Sequence, residues 1–267
     1  MWEDSARQHS GGRKVAIADF LRPVTDVGQR PDPAEQPGEA KYVRSYLVMR
    51  LGIGVLGVLL PLWLLLADWL AFDGDPVPRG SLSVYYYSGM RDVFVVIMSA
   101  TGVFLITHQV ADKSLDNTAT FFAGLCACLI PLFPTGHPSY FHGGLTPLQD
   151  LWGEDTIKQV HFGASAVFLV LLALMSFLFG KREGRRARRK GMHRSPRFWK
   201  WFHWTCAIAM GLALIWIVAT LSAGWPPNSL LVGEWVSAWA FGASFLAKGF
   251  EWDMLRGKPS PPVTPAA

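Results

Sequence analysis

The sequence KREGRRARRKGMHRSPRFWK, residues 181–200, decides how the rest of this chain is interpreted. It contains ten Lys or Arg and one Glu, and long apolar stretches flank it on both sides. Basic loops that join membrane spans are retained on the cytoplasmic side, so the segment indicates topology. A basic run can also indicate nucleic-acid binding, but apolar flanks of this length indicate a membrane protein without a nucleic-acid partner. Contact with anionic lipid headgroups is the predicted secondary role of residues 181–200.

Outward from this segment, six stretches are apolar and long enough to cross a hydrocarbon core, which takes about 20 helical residues. The composition agrees, because 51% of residues are hydrophobic and only 17% are charged. The third stretch is the least apolar, but proline is tolerated in membrane helices whose neighbours satisfy the freed backbone groups. We predict spans at 46–71, 92–110, 117–135, 159–180, 201–223 and 230–249.

The basic residues also fix the predicted orientation. With 181–200 inside, most Lys and Arg fall on the cytoplasmic side, and the opposite loops contain only Arg79, Arg91 and Lys158. The prediction is therefore an all-α, polytopic membrane helix bundle in the plasma membrane, with six transmembrane helices and both termini cytoplasmic. Residues 45–250 form this domain, residues 1–44 a polar cytoplasmic tail and residues 251–267 a Pro-rich cytoplasmic tail.

Glycines in the first and last spans are predicted to serve packing between helices. Gly52, Gly54 and Gly57 lie close together in the first span, and Gly242 lies in the last. Small residues let membrane helices approach closely, so these positions indicate helix–helix contacts.

The outer, extracytoplasmic side collects polar residues of mixed character. Glu234 lies inside the last span, where an ionisable group is costly and tends to face a cavity or a charged group. His161 belongs to a polar stripe with Glu154, Lys158 and Ser165, at the spacing of one helix face. Asp92, His161 and Glu234 are the candidates for acid or base chemistry, and His161 is the candidate metal ligand. We predict a binding pocket at this interface, formed by Tyr86, Arg91, Asp92, Lys158, His161 and Glu234.

Simpler roles compete with this pocket. Tyr85, Tyr86 and Tyr87 suit an aromatic belt at the headgroup level. Arg91 with Asp92 suits an interfacial charge pair. His161 suits a hydrogen-bonded packing residue.

One cofactor alternative lies at the inner side. His108, near the end of the second span, and His203, near the start of the fifth, are predicted at similar depth. Two histidines in that arrangement ligate haem in membrane b-type cytochromes. They serve equally as interfacial residues, and no cofactor is favoured.

Four segments carry a resemblance to known proteins. SLSVYYYSGMRDVFV, LFPTG, HFGASAVF and EWVSAWAFGASFLAKG are similar to those of uncharacterised bacterial six-helix membrane proteins, over roughly 80–250. A fainter likeness joins the chain to the membrane hydrolases that include alkaline ceramidases, which use Ser, Asp and three His around zinc. That likeness implies Ser83, Asp92 and His161 as counterparts. The last span, however, carries Glu234 and no HxxxH pair.

Three functions remain open. The first is a membrane protein that binds a lipid, an amphiphile or another protein through the outer pocket, and it needs the fewest assumptions. The second is a hydrolase-like enzyme acting on a lipid at the outer leaflet through Asp92, His161 and Glu234. The third is a small transporter, for which acids within spans are typical.

Overall fold

The computed structural model describes residues 37–71, 79–108, 115–139, 141–185, 195–225 and 228–249. Within them lie seven α-helices and a 3-10 helix at Ser83–Tyr87, and no strand. The α-helices are α1 Pro37–Ala71, α2 Arg91–Thr107, α3 Leu115–Leu132, α4 Pro147–Trp152, α5 Glu154–Glu183, α6 Pro196–Ala223 and α7 Asn228–Gly249. The C-terminal tail predicted at 251–267, residues 1–36 of the N-terminal tail and residues 186–194 of the basic segment lie outside the described residues.

Five of these helices are long and apolar enough to cross a membrane. Each coincides with a predicted span, so the all-α, multi-pass character is confirmed at this level. Helix α2 coincides with the predicted second span but has 17 residues, fewer than any of the five. The five candidate segments are Leu47–Leu70, Leu115–Leu132, Glu154–Glu183, Pro196–Ala223 and Asn228–Gly249.

The six longer helices pack as a closed ring. Going round it, α1 contacts α2, α2 contacts α3, α3 contacts α5, α5 contacts α6, α6 contacts α7, and α7 returns to α1. Helices α5 and α7 also touch each other. Apart from the short α4, helices that follow one another along the chain are thus neighbours in the ring, and the first helix against the last closes it.

Glycines bring two pairs of helices into backbone contact. A Cβ on Gly54 of α1 would lie 2.7 Å from the backbone nitrogen of Leu246, and one on Gly242 would lie 2.9 Å from the Gly54 oxygen. Between α2 and α3, a Cβ on Gly124 would lie 2.5 Å from the Gly102 oxygen. The packing role predicted for Gly54 and Gly242 is confirmed, and any side chain at these positions forces the helices apart.

The segment between α1 and α2 is folded into one end of the bundle. Ser81, Leu82 and the rings of Tyr85, Tyr86 and Tyr87 are buried there, the three rings at 1–7% exposure. The tyrosines therefore pack inside the protein, and the alternative of an aromatic belt at the headgroup level is wrong for them. We call this end the outer end, after its predicted side, and the opposite end the inner end.

Candidate functional site at the outer end

Serine side chains shape the segment that builds the site. The Ser83 N–H donates to Ser81 Oγ at 3.1 Å, and the Met90 N–H donates to Ser88 Oγ at 3.0 Å. Such local bonds offer the backbone an alternative to the α-helix, so a short 3-10 helix forms before α2 begins at Arg91.

A polar pocket of about 460 Å³ opens beside the 3-10 helix. Arg91 is held in its wall, because Nη2 donates to Tyr86 Oη at 2.6 Å and the guanidinium lies 4.4 Å from the centre of the Tyr86 ring. Arg79 also lines the pocket and makes two hydrogen bonds to the Asp68 carboxylate, at 2.6 and 3.1 Å. The remaining polar wall is formed by Tyr87, Ser88 and Thr146.

The two arginines differ in their neutralisation. Asp68 supplies a carboxylate to Arg79, and this pair is largely withdrawn from solvent. Of the carboxylates in the described part of the chain, none lies within ion-pair distance of Arg91, whose contacts are with Tyr86. The charge pair predicted between Arg91 and Asp92 is thus not formed. Among the described residues, the pocket therefore has one positive charge, on Arg91, that no carboxylate neutralises.

Tyr87 joins the two outer connections. Its hydroxyl donates to the Thr135 carbonyl and accepts from Gln149 Nε2 at 2.8 Å. Gln149 is itself fixed by a capping box with Thr146 at the start of α4. Burial raises the pKa of Tyr87 to about 12, so the phenol keeps its proton, and keeps donating, even above pH 10.

An apolar cavity of about 100 Å³ lies on the other side of the 3-10 helix. Its walls include the rings of Phe94, Phe168 and Phe241, and Glu234 is the single ionisable group among the described residues that line it. Glu234 accepts hydrogen bonds from Ser81 Oγ at 2.8 Å and from the Leu82 N–H at 2.6 Å. The carboxylate therefore links α7 to the segment before α2.

His161, Asp92 and Lys158 line neither of these pockets. His161 is 2% exposed, and its Nδ1 lies 2.8 Å from the Phe133 oxygen and 3.1 Å from the Ile130 oxygen, at the end of α3. Asp92 is exposed in the first turn of α2. Lys158 is exposed and its stem packs on the loop after α3, since a Cβ on Gly136 would lie 3.2 Å from Lys158 Cδ.

The predicted set of site residues is thus brought together in part. Tyr86 and Arg91 share one pocket, and Glu234 lines a second cavity. No hydrogen bond or ion pair in the described residues joins any two of Arg91, Asp92, His161 and Glu234. Nor do three His, Cys, Asp or Glu side chains of those residues converge as a metal site. Ser83 lines the apolar cavity, and no hydrogen bond joins it to His161.

At the inner end, aromatic rings fill the space between the two candidate haem ligands. His108 lies 6.1 Å from Phe245, Phe245 lies 5.1 Å from Phe179, and Phe179 lies 5.7 Å from His203, between ring centres. Arg50 Nε donates to His108 Nε2 at 3.2 Å, and His203 Nδ1 lies 2.9 Å from Ser244 Oγ. These histidines are packed and hydrogen-bonded within the core, and the residues present do not fit an axial pair around a macrocycle.

The inner end also holds buried charges that the sequence prediction missed. Lys248 pairs with Glu183, and Arg182 pairs with Asp116. Lys248, Glu183 and Asp116 are 3–5% exposed. The orientation was predicted from the number of Lys and Arg on each side, which assumes that they are solvated and does not predict ion pairs within the bundle. The available signal was Glu183, the only acid within the 181–200 segment.

No protein-family model, no curated protein and no solved structure matches this chain. The chemistry of the site therefore follows from its own residues. A guanidinium that is held by a phenol and has no carboxylate of the described residues beside it is suited to bind an anion. The Glu234 carboxylate in the apolar cavity is suited to bind a cation.

Proposed function

We propose that the chain is a six-span plasma-membrane protein, with both termini cytoplasmic, that binds an anionic lipid or amphiphile through the polar pocket at its outer end. The observation that carries the proposal is Arg91, which lies in the wall of that pocket without a carboxylate among the described residues to neutralise it.

The place of α2 in the ring supports the sixth span. It packs between α1 and α3, which are both candidate spans. Its 17 residues extend about 26 Å at 1.5 Å per residue, near the lower limit for crossing a hydrocarbon core. With six spans, both ends of the chain and the basic segment 181–200 lie on one side, in agreement with the distribution of Lys and Arg.

The geometry of the pocket supports an anionic headgroup. The guanidinium presents planar donors that match carboxylate or phosphate oxygens, and contact with the Tyr86 ring holds it in one orientation. The hydroxyls of Tyr87, Ser88 and Thr146 line the same space, but each donates its proton within the protein, so the guanidinium is the donor that binds the headgroup. A volume of about 460 Å³ lies within the usual range for small-molecule sites. At the membrane surface, the apolar chain of such a ligand remains in the bilayer.

Binding of decyl phosphate to the purified full chain in neutral nanodiscs tests the proposal. We expect binding to weaken about 10-fold or more in Arg91→Gln, because a charge-assisted hydrogen bond contributes about 1.5–3 kcal/mol. Arg197→Gln is the matched control, since Arg197 is an exposed arginine at the inner end. Equal affinity of Arg91→Gln and the unchanged chain would overturn the proposal. Decyl maltoside, with a neutral headgroup, reports binding by the tail alone.

Transport is a second candidate, favoured by the buried ion pairs at the inner end. Glu183–Lys248 and Asp116–Arg182 close the bundle opposite the two outer pockets. Ionisable groups buried within membrane bundles commonly mark ion or substrate paths. Protein-dependent entry of decyl phosphate into proteoliposomes, reduced in Arg91→Gln, would establish it. Binding without entry would leave the binding function alone.

A further inference from the structure

The apolar cavity contains a carboxylate, Glu234, whose charge the proposed binding of an anion in the polar pocket does not explain. Glu234 lines a space whose other walls are almost entirely apolar. Its contacts are with Ser81 Oγ and the Leu82 N–H, and no Lys, Arg or His of the described residues pairs with it. A carboxylate within a membrane span is costly unless a cation or a proton neutralises it.

The carboxylate has capacity for a ligand. A carboxylate offers about four lone-pair positions on two oxygens. Ser81 occupies one on Oε1 and Leu82 occupies one on Oε2, so each oxygen can accept a further contact. These two hydrogen bonds also fix the orientation of the Glu234 carboxylate before a ligand binds.

The walls favour a cation that carries apolar groups. Phe94, Phe168 and Phe241 supply three aromatic rings, whose faces attract cations, ammonium groups included. Leucine and methionine side chains complete the lining and suit methyl or short alkyl substituents. A strongly hydrated metal ion would lose its water here against few oxygen ligands.

The volume limits the size of the ligand. At about 100 Å³ the cavity is smaller than the roughly 150 Å³ site that admits benzene in an engineered protein core. It therefore suits a methylated or short-chain ammonium group and excludes a bulky aromatic cation.

We propose that this cavity binds a small organic ammonium group, with Glu234 as its counter-ion and Phe94, Phe168 and Phe241 as its aromatic walls. This site is separate from the polar pocket that contains Arg91. Ser83 of the 3-10 helix faces the cavity, whereas Tyr86 and Tyr87 of the same helix face the pocket. The two sites take ligands of opposite charge.

Calorimetric titration of the full chain in neutral nanodiscs with butyltrimethylammonium tests this site. The neutral isostere 3,3-dimethylbutyl alcohol is the comparison ligand. We expect the ammonium to bind at least 10-fold more tightly than the alcohol, and Glu234→Gln to abolish that difference. Asp92→Asn, an exposed acid at the same end, is the matched control and keeps it.

Ala238→Met provides a second variant should Glu234→Gln fail to fold. Ala238 lines the cavity, so the longer side chain fills it while Glu234 stays in place, and ammonium binding is expected to be lost. Equal binding of ammonium and alcohol to the unchanged chain would overturn the proposal, as would full ammonium binding by both variants. Arg91→Gln keeps ammonium binding and Glu234→Gln keeps decyl phosphate binding, so the failure of one site is distinguishable from the failure of the other.

Discussion

Lys248 and Glu183 form an ion pair inside the inner end of the bundle, where their side chains are only 4% and 6% exposed. They belong to α7 and α5, so the pair fastens together two helices that are not neighbours along the ring. The Arg182–Asp116 pair joins α5 to α3 in the same region. Charged residues counted for the predicted orientation, such as Lys248 and Arg182, thus also join helices within the bundle.

Lys248→Met is expected to destabilise the protein by about 3–5 kcal/mol, because it removes the ammonium from a buried carboxylate. The double variant Glu183→Gln with Lys248→Met removes both charges and should recover most of that loss. Thermal unfolding in detergent measures both. A double variant no more stable than Lys248→Met would show that the pairing contributes little.

Gly124→Ala is expected to lower stability by about 1–3 kcal/mol, because its Cβ would lie 2.5 Å from the Gly102 oxygen and force α2 from α3. Gly163→Ala is the control, since a Cβ on Gly163 meets nothing within 4 Å and alanine favours the helix. The shift in Tm between the two variants measures the contact. Similar Tm values would contradict the close approach.

Tyr87→Phe is expected to cost about 1–3 kcal/mol at neutral pH, because Gln149 and the Thr135 carbonyl lose a buried hydrogen-bonding group. The pH dependence is distinctive. The pKa of Tyr87 rises from 10.0 when unfolded to about 12 when folded, so the unfolded phenol ionises first. The stability that it contributes is present below pH 10 and is lost as the pH rises towards 12.

Denaturation of the unchanged chain and of Tyr87→Phe between pH 8 and 12 checks this dependence. The difference in stability between the two should shrink above pH 10, while lysines and other tyrosines affect both alike. A constant difference across that range would contradict the role assigned to the phenol.

Membrane-impermeant maleimide tests the proposed topology. Ser139→Cys, exposed after α3, should react in intact cells, whereas Ser195→Cys, exposed before α6, should react only after permeabilisation. Cys126 and Cys206 are buried, so the unchanged chain gives the background. If both variants reacted from the same side of the membrane, the proposed six-span arrangement would be wrong.

The long helices could be predicted because hydropathy over about 20 residues is a local property of the chain. Tyr86 and Arg91, five positions apart, were likewise predicted to share a site, and they line one pocket. The link from Glu234 to Ser81 spans 153 positions and depends on the closure of the ring. Neither its partner nor its cavity follows from local sequence.

Other site residues depart from the prediction for physical reasons. His161 belongs to the polar helical stripe and is buried, and carbonyls left unsatisfied at the end of α3 contact its ring nitrogen. Asp92 is stabilised at a helix N-terminus by the backbone dipole and does not need a site to explain it. The burial of Lys248 was not predicted, because the number of charged residues in a segment does not show which of them are buried.

Helix α7 provides a residue to each end of the molecule, with Glu234 on the segment before α2 and Lys248 on the end of α5. It is also the helix that meets α1 and closes the ring. During synthesis every other described helix precedes it, so these contacts at both ends of the bundle form only after α7 has left the ribosome. A chain interrupted before Asn228 therefore lacks the Glu234 contacts to Ser81 and Leu82 and the Lys248 contact to Glu183.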